Sequence, residues 1–192
     1  MFMSHRVRFS PGTEVYLCTY RRILEQMIEA MTQARLGNSI SGNFIVQMIP
    51  HHRAAIEMSE NLLRESCFQP LIQIAQNIIR TQKQGIAEME RMLCGCRQKT
   101  NCADAVCRYQ DKMDSILQTM FDEMKHAETG NCINADFMRE MIPHHKGAVR
   151  MAKTALEYDI CEALVPVLEA IIREQEEGIQ KMEQLLRCEC GR

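Results

Sequence analysis

The chain contains the sequence Met-Ile-Pro-His-His twice, at Met48 to His52 and at Met141 to His145. Thioether sulfur and neutral imidazole nitrogen are uncharged donors. Together they form a soft-to-borderline set that suits copper(I) and serves magnesium or calcium poorly, because those ions take oxygen. Met48 lies three residues before His51, and Met58 follows seven residues after it; Met141, His144 and Met151 repeat that spacing. Residues three or four apart share one helical face, so each set can converge on a single ion. The competing reading is packing, since methionine fills irregular core gaps and a histidine on an apolar face is commonly a core residue.

The elements that must carry these residues come in two copies. Shifted by 93 positions the sequence matches itself: Ile23-Leu24 falls on Ile116-Leu117, Gly37-Asn38 on Gly130-Asn131, Ile78-Ile79-Arg80 on Ile171-Ile172-Arg173, and Met89-Glu90 on Met182-Glu183. Roughly a third of positions between residues 20 and 93 are identical to their partners, over a period too long for a solenoid repeat. The reading is domain duplication, with repeats over 14–96 and 104–192 packed as one bundle. Farther upstream, Cys18-Thr-Tyr20 echoes Cys107-Arg-Tyr109 if the second copy gains about one helical turn.

Each copy reads as three helices, with no sustained period-two alternation to suggest strands. The first is expected over roughly Tyr20 to Leu36, ended by Gly37-Asn38. The second is expected to begin after Asn43 or Asp136, both suited to N-capping. The third runs from about Pro70 to Leu93, and its equivalent ends near Leu186. In the second helix, Phe44, Met48, His51, Ala55, Met58 and Leu62 form one stripe, and His52 lies on a neighbouring one with Ile45, Ile49 and Ile56. Gln47, Arg53, Glu57 and Glu60 lie opposite. All four histidines of the motif therefore sit on the apolar side. Pro50 and Pro143 either kink this helix or start it; in the second case the helix dipole would disfavour imidazolium. The third helix carries Gln82 and Gln175 in its apolar seam, where they need a partner or orient a histidine ring. It also carries Gly85 and Gly178, which suggest a close backbone approach or room for a side chain such as histidine.

Ten cysteines accompany the fifteen methionines. Cys94, Cys96, Cys188 and Cys190 end the third helices and are the candidate thiol site, although their spacing fits no zinc-finger pattern. If oxidised, Cys18 with Cys67 and Cys107 with Cys161 are the first candidate pairs. A di-iron carboxylate enzyme would need Glu-x-x-His on two helices. Glu123 and His126 fit once, but Ala30 and Gln33 stand in the other copy. No nucleophile–base set and no phosphate loop is present. The formal net charge of -2 gives no basic field for nucleic acid. No apolar run is long enough to span a bilayer. Residues Met1 to Gly12 show no secretory pattern, so the expectation is a cytoplasmic protein with reduced thiols.

The pattern Phe-x3-Met-Ile-x-His-His-x2-Ala-x2-Met followed by Ile-Ile-x2-Gln-x6-Met resembles the domain-of-unknown-function family 305, a ferritin-like helical family. It stands here as Phe44 to Met58 with Ile78 to Met89, and again as Phe137 to Met151 with Ile171 to Met182. Members of that family look like copper-binding or copper-tolerance proteins, many of them exported, with Met and His ligands. The resemblance implies Met48, His51, His52, Met58 and Met89 as ligands in one copy, and Met141, His144, His145, Met151 and Met182 in the other. The abundance of cysteine favours a cytoplasmic role over an exported one.

The expected architecture is all-α: a ferritin-like bundle of two duplicated three-helix units about a pseudo-two-fold axis. The expected function is soft-metal binding for storage, buffering or tolerance, with one copper(I) site per copy and no catalysis. A helical interaction scaffold and a metalloenzyme are the alternatives. A metal ion is the expected partner, and a homo-oligomer stays open.

Overall fold

The structure, a computed structural model, describes residues 8–190, with side chains described up to residue 188. Among these residues it is all-helical: α1 (Pro11–Thr32), α2 (Ile40–Glu65), α3 (Gln69–Cys96), α4 (Ala103–Lys125), α5 (Ile133–Ala155) and α6 (Val165–Cys190), the last preceded by a short 3-10 turn at Glu162–Leu164. No described helix is long and apolar enough to cross a membrane.

The helix starts differ from those expected, for local reasons. The first helix begins at Pro11, nine residues before Tyr20, because Ser10 caps it: the Ser10 Oγ accepts from the Thr13 N–H at 3.2 Å, and proline suits the first helical position. Tyr16 then pairs with Tyr109 at the same 93-residue offset as the rest of the repeat, so the second copy needs no added turn. Ser39, not Asn43, caps α2 by accepting from the Gly42 N–H at 3.1 Å. Asn43 lies one turn inside and reaches back instead: its Oδ1 accepts from the Gly37 N–H at 2.8 Å, as Asp136 Oδ1 does from Gly130. Both side chains tie the preceding loop to the helix. Pro50 and Pro143 lie inside continuous helices, so the histidines sit mid-helix and the dipole of a first turn does not act on them.

Within each copy the middle helix packs between the other two. The copies meet where α2 packs on α5 and α3 on α6. One contiguous hydrophobic cluster runs through both, including Phe44, Met48, Leu62 and Leu71 with Phe137, Met141, Leu164 and Leu168. Each such side chain contributes about 1.5–3 kcal/mol by leaving water. Cross-copy bonds add direction: Tyr16 donates to Glu140 Oε2 at 2.6 Å, and Tyr20 donates to the Met124 carbonyl at 2.9 Å.

The repeat is not symmetric at this level. Glu140 and Asp136 stand where the first copy has Gln47 and Asn43. Gln47, expected on the solvated face, is buried, because it stands four residues before His51 and so shares that residue's side of α2. Glu140 is 1% exposed, and burial pushes its carboxyl well above the usual range, with the Asp136 charge adding to the effect and the Tyr16 hydrogen bond opposing it. A raised folded pKa gives stability that is present below the unfolded value of 4.5 and lost as pH rises. Glu140→Gln keeps an acceptor for Tyr16 and removes the buried acid. Its stability relative to the parent should therefore grow from pH 4.5 upward, reaching at least about 1.4 kcal/mol at pH 8, the equivalent of one pKa unit. Urea denaturation across pH checks this, and a variant that loses ground as pH rises would contradict it.

Candidate metal centre

His51 and His144 meet at the pseudo-two-fold axis. Their ring centroids are 3.6 Å apart with the planes tilted by 32°. The Nε2 of His51 donates to the His144 carbonyl at 3.2 Å, and the Nε2 of His144 donates to the His51 carbonyl at 3.1 Å. With Nε2 carrying the proton, Nδ1 of each ring holds the lone pair. His51 lies closer to His144 than to its own neighbour His52, whose centroid is 6.2 Å away; His144 and His145 are 5.9 Å apart. Sequence spacing suggests one centre per copy. The fold brings the first histidine of each motif together at α2–α5, because each faces the axis.

The second histidines point outward along the same interface. A Cβ built on Gly85 would lie 3.1 Å from His52 Nε2, and one on Gly178 would lie 3.0 Å from His145 Cδ2. Of the two roles open to these mid-helix glycines, room for a histidine ring is the one found. α3 and α6 run antiparallel past each other, and two cavities lie between them. One, of about 360 Å³, is lined by His145, Gln82, Gln175 and Gly178 among others. The other, of about 150 Å³, is lined by His52, Gln82, Gly85 and Gln175 among others. Both exceed the roughly 30 Å³ of one water, so a small ion can reach His52 and His145 along them.

Four imidazoles inside one core should be neutral, because burial disfavours the charged ring. His51 and His144 are 0% exposed, and His52 and His145 are 2% exposed. Burial lowers His51 and His145 from 6.5 to about 3, and it lowers His52 and His144 well below the usual value, with the neighbouring histidines repelling any added proton. The Nδ1 atoms of all four rings, and the Oε1 atoms of Gln82 and Gln175, are buried without a hydrogen-bond partner. A buried unpaired polar atom costs about 1–3 kcal/mol, and these six lie in the layer between α2, α3, α5 and α6. Met48, Met58, Met89, Met141, Met151 and Met182 are all buried in the surrounding cluster. Among the described residues no three His, Cys, Asp or Glu side chains form a metal-binding group. An ion held here must therefore draw on thioether or amide donors besides imidazole. Neutral nitrogen and sulfur in an apolar seam fit a soft monovalent cation, because no anion has to be desolvated to bind it.

The residues of the expected thiol site differ in their surroundings. Cys94 and Cys188 are exposed, Cys96 is buried, and the side chain of Cys190 lies outside the described residues. Residues two apart on a helix diverge, so Cys94 and Cys96 face different surroundings. Cys96 neighbours Cys161, the residue expected to pair with Cys107 on oxidation; the Cys107 thiol lies 4.0 Å from Asp111 Oδ2. Cys18 and Cys67 are both exposed.

The depressed histidines have a pH consequence for the metal-free protein. The unfolded chain takes protons at these residues near 6.5 and the folded chain does not, so each removes about 1.4 kcal/mol of stability per pH unit as pH falls from 6.5 toward 3. Glu140 and Asp136, whose folded pKa values are raised, oppose part of that loss. In ring C–H NMR titrations His51 and His145 should stay neutral until the fold is lost. Reversible titration of either near 6.5 in the folded protein would contradict their burial.

No curated protein matches the chain. One similar solved structure is CopM in the Ag-bound form, obtained by soaking. It is 29% identical with a TM-score of 0.58, over 77% of this chain and 94% of that one. The family described as Domain of unknown function (DUF305) matches residues 41–186, a span that takes in both histidine pairs, both glutamines and both glycines. The chain belongs to the DUF305 family.

Proposed function

We propose that the protein binds a soft monovalent metal ion, copper(I) in the cell, as cargo for storage, buffering or tolerance rather than for catalysis. The observation that carries this reading is that four buried imidazole Nδ1 atoms, two of them on the touching rings of His51 and His144, have no hydrogen-bond partner inside a methionine-rich core. A core selected for packing alone would place apolar groups at such positions, since unpaired polar atoms cost stability. The silver ion of CopM supports the same class of metal, because silver(I) and copper(I) are both soft and monovalent.

In this reading His51 and His144 hold their rings by the reciprocal Nε2 bonds and present Nδ1 to the ion. Met48 and Met141, one turn back on the same helices, supply thioethers, and Met58, Met89, Met151 and Met182 are the further sulfur donors. His52 and His145, with Gln82 and Gln175 beside them, receive the ion from the two cavities. The bound metal supplies only its affinity for soft donors; the chain's contribution is a dry, neutral and pre-formed donor set. The ten cysteines support a cytoplasmic setting for this role.

Packing is a second reading with its own observation. The two Nε2–carbonyl bonds already give His51 and His144 a structural job at the interface. A copper(I) competition titration, with the cysteines alkylated so that thiolates do not respond, separates the two. Replacing His52 and His145 with leucine spares the axial bonds, and far-UV circular dichroism reports whether the fold survives. Metal binding predicts a loss of at least about tenfold in affinity, equivalent to about 1.4 kcal/mol. Further loss is expected when His51→Ala and His144→Ala are added. Unchanged affinity in the folded four-histidine variant would leave the motif as packing.

A further inference from the structure

Outside the histidine centre, two thiols meet across the copy boundary. Cys96, in the last turn of α3, is 1% exposed, and its side chain neighbours that of Cys161, which is half-buried ahead of the 3-10 turn leading into α6. The start of α2 pins both backbones. Ser39 Oγ donates to the Cys96 carbonyl at 2.9 Å, and the Cys161 N–H donates to Ser41 Oγ at 2.8 Å. Asn101 ties the same strands of chain: its N–H donates to the Asn38 carbonyl at 2.8 Å, its Nδ2 to the Asp159 carbonyl at 2.7 Å, and its Oδ1 accepts from the Ile40 N–H at 3.0 Å. Lys99 and Asp159 close the ring with an ion pair of 2.6 Å.

This frame is specific to one side of the molecule. At the 93-residue offset, Phe68 stands opposite Cys161 and packs against the core. The pair is therefore not a by-product of duplication. The other described cysteines are exposed.

We propose that Cys96 and Cys161 form a second soft-metal site, of the two-thiolate type, that binds copper(I) independently of the histidine centre. The step balances as two thiols plus Cu(I) giving a two-coordinate bis-thiolate anion and two protons, with no change of oxidation state. Thiolates are the strongest soft donors a protein offers and select copper(I) over harder ions. Two suffice, because a closed-shell d10 ion accepts linear coordination. The half-buried Cys161 gives the ion an entry, and the N-terminal end of α2 beside the pair favours the negative charge of the product. Burial and the neighbouring Cys161 push the Cys96 thiol up to about 12. The metal must therefore displace the protons, and binding should strengthen as pH rises.

The test uses the full-length protein, reduced and kept anaerobic, titrated with Cu(I) against a competing chelator. Three variants, Cys96→Ala, Cys161→Ser and Cys94→Ser, are read by stoichiometry, thiolate-to-copper charge-transfer absorption and proton release. The proposal predicts that Cys96→Ala and Cys161→Ser each remove the same equivalent of copper(I), its absorption band and its two protons. The double variant should lose no more than either single one, and Cys94→Ser should keep all three signals. Circular dichroism identifies a variant that has lost its fold, and the conservative Cys96→Ser then takes its place. Full retention of copper by folded Cys96 and Cys161 variants would overturn the proposal. So would an equal loss in Cys94→Ser, or a Cys96–Cys161 disulfide in the protein as isolated from its cell. Imidazole and thioether donors give neither the band nor the protons, so failure of the histidine centre leaves this result unaffected, and the reverse also holds.

Discussion

The contact between α2 and α5 holds only while four imidazoles remain neutral inside it. Each of His51 and His144 spends its one N–H on the other's backbone carbonyl. That exchange fixes the tautomer of both rings and sets them face to face at 3.6 Å. A proton on either ring would place a cation against its neighbours in a medium that solvates charge poorly. The interface, the neutrality and the exposed lone pairs on Nδ1 are therefore one arrangement. It is the symmetric centre about which the two copies pack.

The rest of the architecture serves that centre at increasing distance. α3 and α6 cover the outer histidines and leave glycine where a larger residue would strike the ring. They also supply Gln82 and Gln175, whose unpaired oxygens add to the cost the site carries when unliganded. α1 and α4 close the opposite side of the middle helices. There Tyr16 holds Glu140, while the corresponding Tyr109 and Gln47 leave their side-chain oxygens unpaired. The histidines and glycines of this layer thus recur in both repeats, while the residues facing Tyr16 and Tyr109 differ between them.

Much of this was readable from the chain. The repeat fixed which residues must occupy equivalent positions, and helical spacing put both histidines on the buried side. Gly85 and Gly178 stood out because a mid-helix glycine costs about 1 kcal/mol and here returns in register. What escaped was set by contacts between distant segments. The approach of His51 to His144 depends on α2 meeting α5, and spacing within one helix says nothing of that. Gln47 stands four residues before His51, as Glu140 does before His144, so local spacing already puts both near the histidines' side of the helix, and the solvated face was the wrong one for Gln47. Cys161 and Cys96 are brought together by the Asn101 loop across the copy boundary. The early start of α1 was a local signal, Ser10-Pro11, hidden by the weak repeat in that region.

The central claim is that the buried Nδ1 atoms are metal donors. Two-dimensional 15N spectra of the histidine rings, recorded before and after one equivalent of silver(I), test it most directly. The account predicts that Nε2 of His51 and His144 keeps its proton throughout, and that Nδ1 resonances of the core histidines move strongly on metal addition. Silver that binds tightly while every core Nδ1 resonance stays in place would contradict it.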